Sequence, residues 1–183
     1  IIDNASADDS VAFLKLNFPQ VKIIQNTENH GFAGGYNEGL KKIKADILSF
    51  GAHPDDVECS AAGTDIKHVA LGKIVVVADL TAGEMGSHGN AESRKKESDE
   101  ASKILGIKYR EQLGLPDGGI ENSESARSIV IQTIRKYRPE IVLCNAVYDR
   151  HPDHANAAKL VSDACFLSGL KKKETFINGI LQK

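Results

Sequence analysis

The stretch Ile47-Leu-Ser-Phe-Gly-Ala-His-Pro-Asp-Asp-Val-Glu58 opens on a short apolar run and breaks at glycine into a turn dense in imidazole and carboxylate. Its first four residues, Ile47–Phe50, read as a strand. Ile74–Leu80 and Ile141–Asn145 are runs of the same kind, and Val21–Gln25 is a further strand candidate. Runs that are nearly continuous in apolar residues are usually buried on both faces of a parallel sheet. Helix-period segments lie between them. Ala91–Leu105 is highly charged and leaves Ala101, Ile104 and Leu105 to face a core. Glu124–Arg138 places Ile131, Ile134 and Tyr137 near helical spacing and is ended by Pro139. Pro152–Ser168 starts on proline and runs to Gly169. Strand and helix alternate along the chain, which predicts an α/β fold with right-handed crossovers. In such folds ligands bind outside the carboxyl ends of the strands.

Two of those ends carry unusual chemistry. The first is Gly51–Glu58. The second, after the strand at Ile141, reads Asp149-Arg-His-Pro-Asp-His154. Each contains the tripeptide His-Pro-Asp, and together they hold three of the six histidines. Proline stiffens each turn and pre-organises the side chains around it. His53 and Asp56 are three residues apart, as are His151 and His154, so each pair can converge across one turn. Two imidazoles with a carboxylate form a donor set suited to a divalent metal, and three protein ligands leave coordination positions open for catalysis. Either tripeptide alone reads equally as a turn with a helix cap, from Asp55 or Asp56 in the first and from His151 or Asp153 in the second. Two of them at predicted strand ends point to a metal site. The same donor set also suits non-haem iron and oxygen chemistry.

Composition narrows the classes. The chain has 183 residues, of which 41% are hydrophobic and 26% charged, enough for one domain of ordinary size. With 23 basic and 25 acidic residues the net charge is −2, and no general field draws it to nucleic acid or membrane. No apolar run approaches the roughly 18 residues of a membrane span. Cys59, Cys144 and Cys165 contain no C-x-x-C pair. That argues against a disulfide framework or a thiolate metal site and fits a reducing cytoplasm. The chain begins Ile1-Ile-Asp3 and its one methionine is Met85, so the first residue is not expected to be a natural start.

From Asp46 to about Lys183 the sequence resembles the LmbE-like (PIG-L) N-acetylglucosamine deacetylases. The likeness is carried by Ala52–Glu58 as A-H-P-D-D-x-E and by His151–His154 as H-P-D-H. Asp79-Leu-Thr-Ala-Gly-Glu-Met-Gly86, Arg94-Lys-Lys-Glu97 and Leu115-Pro-Asp-Gly118 also look like the family. Within it the chain is most similar to the deacetylase of bacillithiol biosynthesis, which acts on N-acetylglucosaminyl-malate. The resemblance implies a Rossmann-like, mostly parallel sheet with helices on both faces. It implies zinc held by His53, Asp56 and His154, with Asp55 as general base. His151 would steady the oxyanion or donate a proton, and Asp153 would orient that imidazole. Arg94 would contact the sugar or its acidic aglycone. Glu84 either lines the substrate loop or is a plain turn carboxylate. His30, His68 and His88 are expected to be structural or exposed.

Residues 1–45 fit that family poorly. Ile2-Asp-Asn-Ala-Ser-Ala-Asp-Asp-Ser10, Asn17-Phe-Pro-Gln-Val21 and Asn29-His-Gly-Phe-Ala-Gly-Gly-Tyr-Asn37 instead resemble one β-α-β portion of a family 2 glycosyltransferase of GT-A fold. By that likeness Asp3 would help bind the nucleotide of a sugar donor. The expected organisation is a glycosyltransferase-like fragment over 1–45 and a deacetylase domain over 46–183, incomplete at its C-terminus, with an exposed sheet edge. The expected partner is a small N-acetylglucosaminyl substrate, with no nucleic acid and no membrane. A homo-oligomer is compatible with the sequence. The alternatives are an inert fused chain that retains metal binding, or a fragment that binds sugar nucleotides.

Overall fold

The computed structural model describes residues 1–21, 23–29, 44–177 and 180–182 and divides into two compact units, Ile1–Lys44 and Ala45–Lys183. In the first, strand β1 (Ile2–Asp3), helix α1 (Ser10–Asn17) and strand β2 (Ile24–Gln25) form a β-α-β unit. Its strands are parallel, with Ile2 opposite Ile24 and Asp3 opposite Gln25. Of the strand expected over Val21–Gln25, Ile24 and Gln25 are in a strand, Val21 and Ile23 are not, and Lys22 lies outside the described residues. No residue of α1 is buried. Of the glycine-rich stretch Asn29–Asn37, all but Asn29 lies outside the described residues, and so does His30.

The second unit runs β3 (Ile47–Gly51), α2 (Asp56–Ser60), α3 (Ala62–Ala70), β4 (Val75–Asp79), α4 (Ala91–Leu105) and β5 (Tyr109–Gln112). It continues through α5 (Glu124–Tyr137), β6 (Ile141–Leu143), α6 (Pro152–Ser168) and an antiparallel hairpin of β7 (Thr175–Ile177) and β8 (Ile180–Gln182). The order β5-β4-β3-β6 makes one four-stranded sheet, parallel throughout. Every residue of β3 and β4 is buried, as continuous apolar runs require. Alternation along the strands sends Ile47, Val75 and Val77 to one face, where they cluster with Val57 of α2 and Leu105 of α4. Leu48 and Val76 belong to the opposite face; α6 packs against β3, and α5 packs along α6. From α5 and α6, Val130, Ile131, Ile134, Tyr137, Leu160, Val161 and Ala164 are buried. The fold is the expected α/β sheet with helices.

This strand order has a consequence for ligands. From β3 the chain builds outward through β4 to β5, then returns to add β6 on the other side of β3. The order reverses between β3 and β6, and a crevice opens at the carboxyl ends of strands that diverge in this way. The two His-Pro-Asp segments follow these two strands.

Two expectations need correction, and one strand was not expected at all. Ile104 does not face the core: it is 82% exposed, and α4 buries Ser98, Ser102 and Leu105 instead. The helix turns by about 100° per residue, and its inward face is centred on Ser98, Ser102 and Leu105, which leaves Ile104 outside it. The strand at Ile141 is not buried on both faces, because it is a sheet edge among the described residues and Ile141 is 49% exposed. Strand β5 has no apolar run to announce it. Its Arg110 and Glu111 are engaged instead, Arg110 with Asp79 and Glu58, and Glu111 with Lys136 and Tyr137.

Candidate metal centre

Gly51 ends β3 where the backbone folds back tightly: a Cβ there would lie 2.9 Å from the His53 carbonyl oxygen and 3.2 Å from the Asp56 Cβ. The His53 carbonyl accepts the N–H groups of Asp55 and Asp56, at 2.9 and 3.3 Å, and the turn leads directly into α2. Asp55 occupies the N-cap position but makes no side-chain capping bond. Its carboxylate, 54% exposed, pairs with Arg94 Nη2 at 3.1 Å. Asp56 points the other way. Its Oδ2 accepts from the His53 backbone N–H and from Asn145 Nδ2, both at 3.0 Å. Asn145 also accepts the Ala52 N–H at 3.0 Å, so one amide straps the end of β6 to the turn after β3.

The second segment is built around the start of α6. His151 is its N-cap, with Nδ1 accepting the Asp153 N–H at 3.3 Å, and Pro152 takes the first helical position, where its missing N–H costs nothing. Asp149 accepts the His151 N–H at 2.8 Å and lies 3.1 Å from His154 Nδ1. His154 Nε2 is 3.2 Å from Asp56 Oδ1, and His53 Nδ1 is 3.6 Å from Asp56 Oδ2. The three rings gather closely: His151 lies 4.8 Å from both His53 and His154 by ring centroid, and His53 is 5.4 Å from His154. One donor atom from each of these histidines lies within 4.8 Å of the others. His53, Asp117 and Asp153 form a second such group.

The charges of the site act on one another. The hydrogen bond to Asp56 raises the His53 imidazole to about 9, against the opposing pull of burial and with the negative charge of Asp117 adding to the rise. Burial pushes the Asp56 carboxyl up, but hydrogen bonds from His53 and Asn145 and the charge of His154 outweigh it and hold it at about 2. The site therefore gathers two imidazoles and an ionised Asp56 carboxylate around a shared space, and a cation bound there would displace the proton of His53. Such an N₂O set, with further imidazole beside it, fits a divalent cation of the zinc type.

Each site residue singled out in the sequence has a definite place. His53, Asp56, His151, Asp153 and His154 come together, and Asp55 lies beside them in its pair with Arg94. Asp153 is 1% exposed. Its carboxylate accepts the N–H groups of Gly118 and Ile120, at 2.7 and 3.2 Å, and lies 3.3 Å from His53 Nε2. It meets His151 only through its backbone N–H, so the imidazole its carboxylate addresses is His53. Glu84 gives one oxygen to the Ala82 N–H at 3.2 Å and the other to the Asp117 N–H at 2.9 Å. It brackets two loops together. Arg94 passes under Gly83, whose φ of +66° and tight approach to Arg94 Nε admit no side chain. That Nε is buried and makes no hydrogen bond. His68 and His88 are away from the cluster: His68 bonds the Thr64 carbonyl within α3, and His88 is exposed.

Sequence reasoning assigned no role to Asp117, Asn145 or Asp149. Asp117 stood inside the quoted Leu115–Gly118 stretch, but only the fold brings its Oδ1 to 3.0 Å from His53 Nε2. Asn145 carried no signal beyond its place at a strand end. Glu58 has a partner set of its own. Arg110 grips Asp79 with two bonds, Nε to Oδ2 at 2.7 Å and Nη2 to Oδ1 at 2.9 Å, and reaches Glu58 with Nη1. Burial pushes the Asp79 carboxyl up to about 6 against the pull of Arg110.

Residues 48–165 match the family model described as GlcNAc-PI de-N-acetylase, PIG-L. Residues 1–51 match the model of glycosyl transferase family 2. A diacetylchitobiose deacetylase of Thermococcus kodakarensis is 33% identical over 144 residues, covering 73% of this chain and 54% of the relative. A probable N-acetyl-alpha-D-glucosaminyl L-malate deacetylase 2 of Bacillus anthracis is 30% identical over 148 residues, covering 74% of this chain and 66% of that one. Among solved structures, a conserved protein of Thermus thermophilus superposes with a TM-score of 0.70 at 41% identity, covering 74% of this chain and 62% of that chain. The chain thus spans between half and two thirds of the length of each.

Proposed function

This chain belongs to the GlcNAc-PI de-N-acetylase (PIG-L) family, and from that premise we propose that it is a zinc-dependent hydrolase that removes acetyl from an N-acetylglucosamine conjugate. The observation that carries the reading is the meeting of His53, Asp56 and His154 at the switch point between β3 and β6, with Asp55 turned to a different partner. His53, Asp56 and His154 would hold the ion. A zinc ion so held lowers the pKa of water and withdraws electrons from an amide carbonyl.

The protein's own groups supply the rest. Asp55 does not cap α2, so its carboxylate can accept the proton of a water as that water adds to the acetamide carbon. Arg94 fixes the direction of that carboxylate through Nη2, and its guanidinium charge would draw a sugar or acidic oxygen toward the site. His151 donates a hydrogen bond to the oxyanion or a proton to the departing amine. The carbon–nitrogen bond then breaks to give acetate and a free amino sugar. Glu84 shapes the wall that faces the substrate by bracketing the Gly83–Gly86 and Leu115–Gly118 loops. The names of the two deacetylase relatives both denote N-acetylated glucosaminyl substrates. We assign N-acetylglucosaminyl-malate, the conjugate of bacillithiol biosynthesis, because Arg94 offers a cation to an acidic aglycone.

The test is acetate release from N-acetylglucosaminyl-malate by the purified chain, measured beside its metal content. About one zinc per chain is expected. A folded, zinc-replete sample that releases no acetate overturns the activity. Asp55→Asn should keep the zinc and lose about 10²–10⁴ in kcat, and unchanged turnover would remove Asp55 as base.

A further inference from the structure

His53 uses its two ring nitrogens differently. Nδ1 faces Asp56 Oδ2 at 3.6 Å. Nε2 faces two other carboxylates, Asp117 Oδ1 at 3.0 Å and Asp153 Oδ2 at 3.3 Å. A carboxylate can only accept, so a nitrogen held between two of them must carry the hydrogen. Of the two, Asp153 already takes backbone N–H groups on both oxygens. Asp117 takes one, the Met85 N–H at 2.8 Å, and takes it on Oδ2. Its Oδ1 lies closer to His53 Nε2, while the contact with hydrogen-bond geometry is the one to Asp153 Oδ2. The Asp117 side chain is 7% exposed, and its own N–H is held by Glu84. The carboxylate is therefore clamped from both ends of the residue.

We propose that Asp117 and Asp153 together position the metal centre: Asp153 accepts the hydrogen of His53 Nε2 and the adjacent Asp117 charge holds it there, which leaves Nδ1 as the nitrogen that binds the cation. This rests on the zinc reading above and adds to it. A histidine ligand whose second nitrogen donates to a carboxylate is fixed in tautomer and ring orientation and becomes a stronger base, and loss of such a partner typically costs about 10–100-fold in metal affinity. Asp117 also has a consequence for the loops. The same carboxylate binds Met85, so the substrate-side loop Gly83–Gly86 and the first metal ligand are positioned by one side chain.

The test compares the 183-residue chain with its Asp117→Asn and Asp117→Glu variants. Two readouts are used: zinc affinity by chelator competition, and the ¹⁵N–¹H correlations of the His53 ring in the zinc-loaded protein. In the wild type the ring proton should sit on Nε2, with zinc on Nδ1. Asp117→Asn keeps the size of the side chain but can turn an amide N–H toward Nε2. It should weaken zinc about 10–100-fold and move the ring proton. Asp117→Glu restores a carboxylate and should recover part of the affinity. Zinc on Nε2 in the wild type overturns the proposal without reference to any variant, and so does unchanged affinity in Asp117→Asn. A wild-type chain that binds no zinc overturns the zinc reading and this inference together. Zinc bound through Nδ1 without acetate release would leave this inference standing and remove only the deacetylase reading.

Discussion

Asp56 and Glu58 lie two residues apart on the short helix α2, yet they serve two clusters built on different principles. Glu58 joins Asp79 around Arg110, a permanent cation whose planar fork satisfies both carboxylates and whose own pKa is raised by the pairing. Asp56 joins Asp117, Asp149 and Asp153 around three histidines. These balance the negative charge only when protonated, and they can exchange those protons for a metal. The arginine cluster anchors α2 to β4 and β5. The histidine cluster leaves its cation exchangeable. Acidic clusters of similar density therefore differ in purpose through the cation chosen to balance them: a fixed one belongs to the frame, a replaceable one to the chemistry.

The sharpest test of this division removes the fixed cation. Arg110→Met leaves Asp79, which is wholly buried, without its partner. Stripping one member of a buried ion pair costs about 3–5 kcal/mol. Urea unfolding should show a loss of that size, the same with and without zinc. His154→Ala should do the reverse, abolishing the thermal shift produced by zinc while changing stability in EDTA much less. If both variants lost stability equally in EDTA, the histidine cluster would be part of the frame as well and the distinction would fail.

A smaller effect follows from pH. The His53 imidazole sits at about 9, above its unfolded value of about 6.5. Its contribution is complete below 6.5 and disappears as pH rises through 9. Asp56 is held at about 2, below its unfolded value of about 3.9. Its contribution is complete above 3.9 and is lost as pH falls through 2. The two groups share one contact, so in EDTA stability should hold between about pH 4 and 6.5 and then fall by about 2–3 kcal/mol up to pH 9. Zinc needs the deprotonated imidazole, so its stabilising effect should grow over the same interval. Melting curves in both conditions check the crossing. A metal-free chain that gains stability from pH 6.5 to 9 would contradict the charge arrangement at His53.

Asn145→Ala should be milder still. It cuts the strap between the ends of β6 and β3 and leaves the Ala52 N–H without its acceptor, a loss of about 1–2 kcal/mol. Because Asn145 also donates to Asp56, zinc affinity should fall with stability, which titration would show.

The uneven legibility of this molecule in its sequence has a physical cause. Buried strands announce themselves, since β3 and β4 must be apolar on both faces, and the site residues fall in pairs within one turn, at His53 and Asp56 and at His151 and His154. What was hidden depends on long-range approach. Asp117 is 64 residues from His53 by subtraction of their numbers, and only the packing of its loop against the start of α6 brings it there. β5 was hidden because its stability comes from Arg110 and Glu111 rather than from apolar residues. Asp153 was read as the companion of His151, its neighbour in sequence. The fold turns its carboxylate toward His53, since the amide groups of Gly118 and Ile120 approach from that side.

The smallest expected effect tests the misread helix face. Charge dominates Ala91–Leu105, and its few apolar residues beyond Ala91, namely Ala101, Ile104 and Leu105, do not by themselves define a stripe. Two of them are adjacent, and adjacent helical positions diverge by about 100°, so a narrow inward face holds only one. The helix buries Leu105 and fills the rest of its inner face with Ser98 and Ser102, whose hydroxyls donate to the Arg94 and Ser98 carbonyls in the preceding turn. Small hydroxyl residues satisfied within the helix let α4 lie close to its neighbours without a buried polar penalty. Ile104 is left at the surface, and Ile104→Lys should change stability by no more than about 0.5 kcal/mol. A loss of several kcal/mol in thermal unfolding would mean that Ile104 is covered in solution. The face of α4 that bears it would then be an interface and not part of the solvated frame around Arg110.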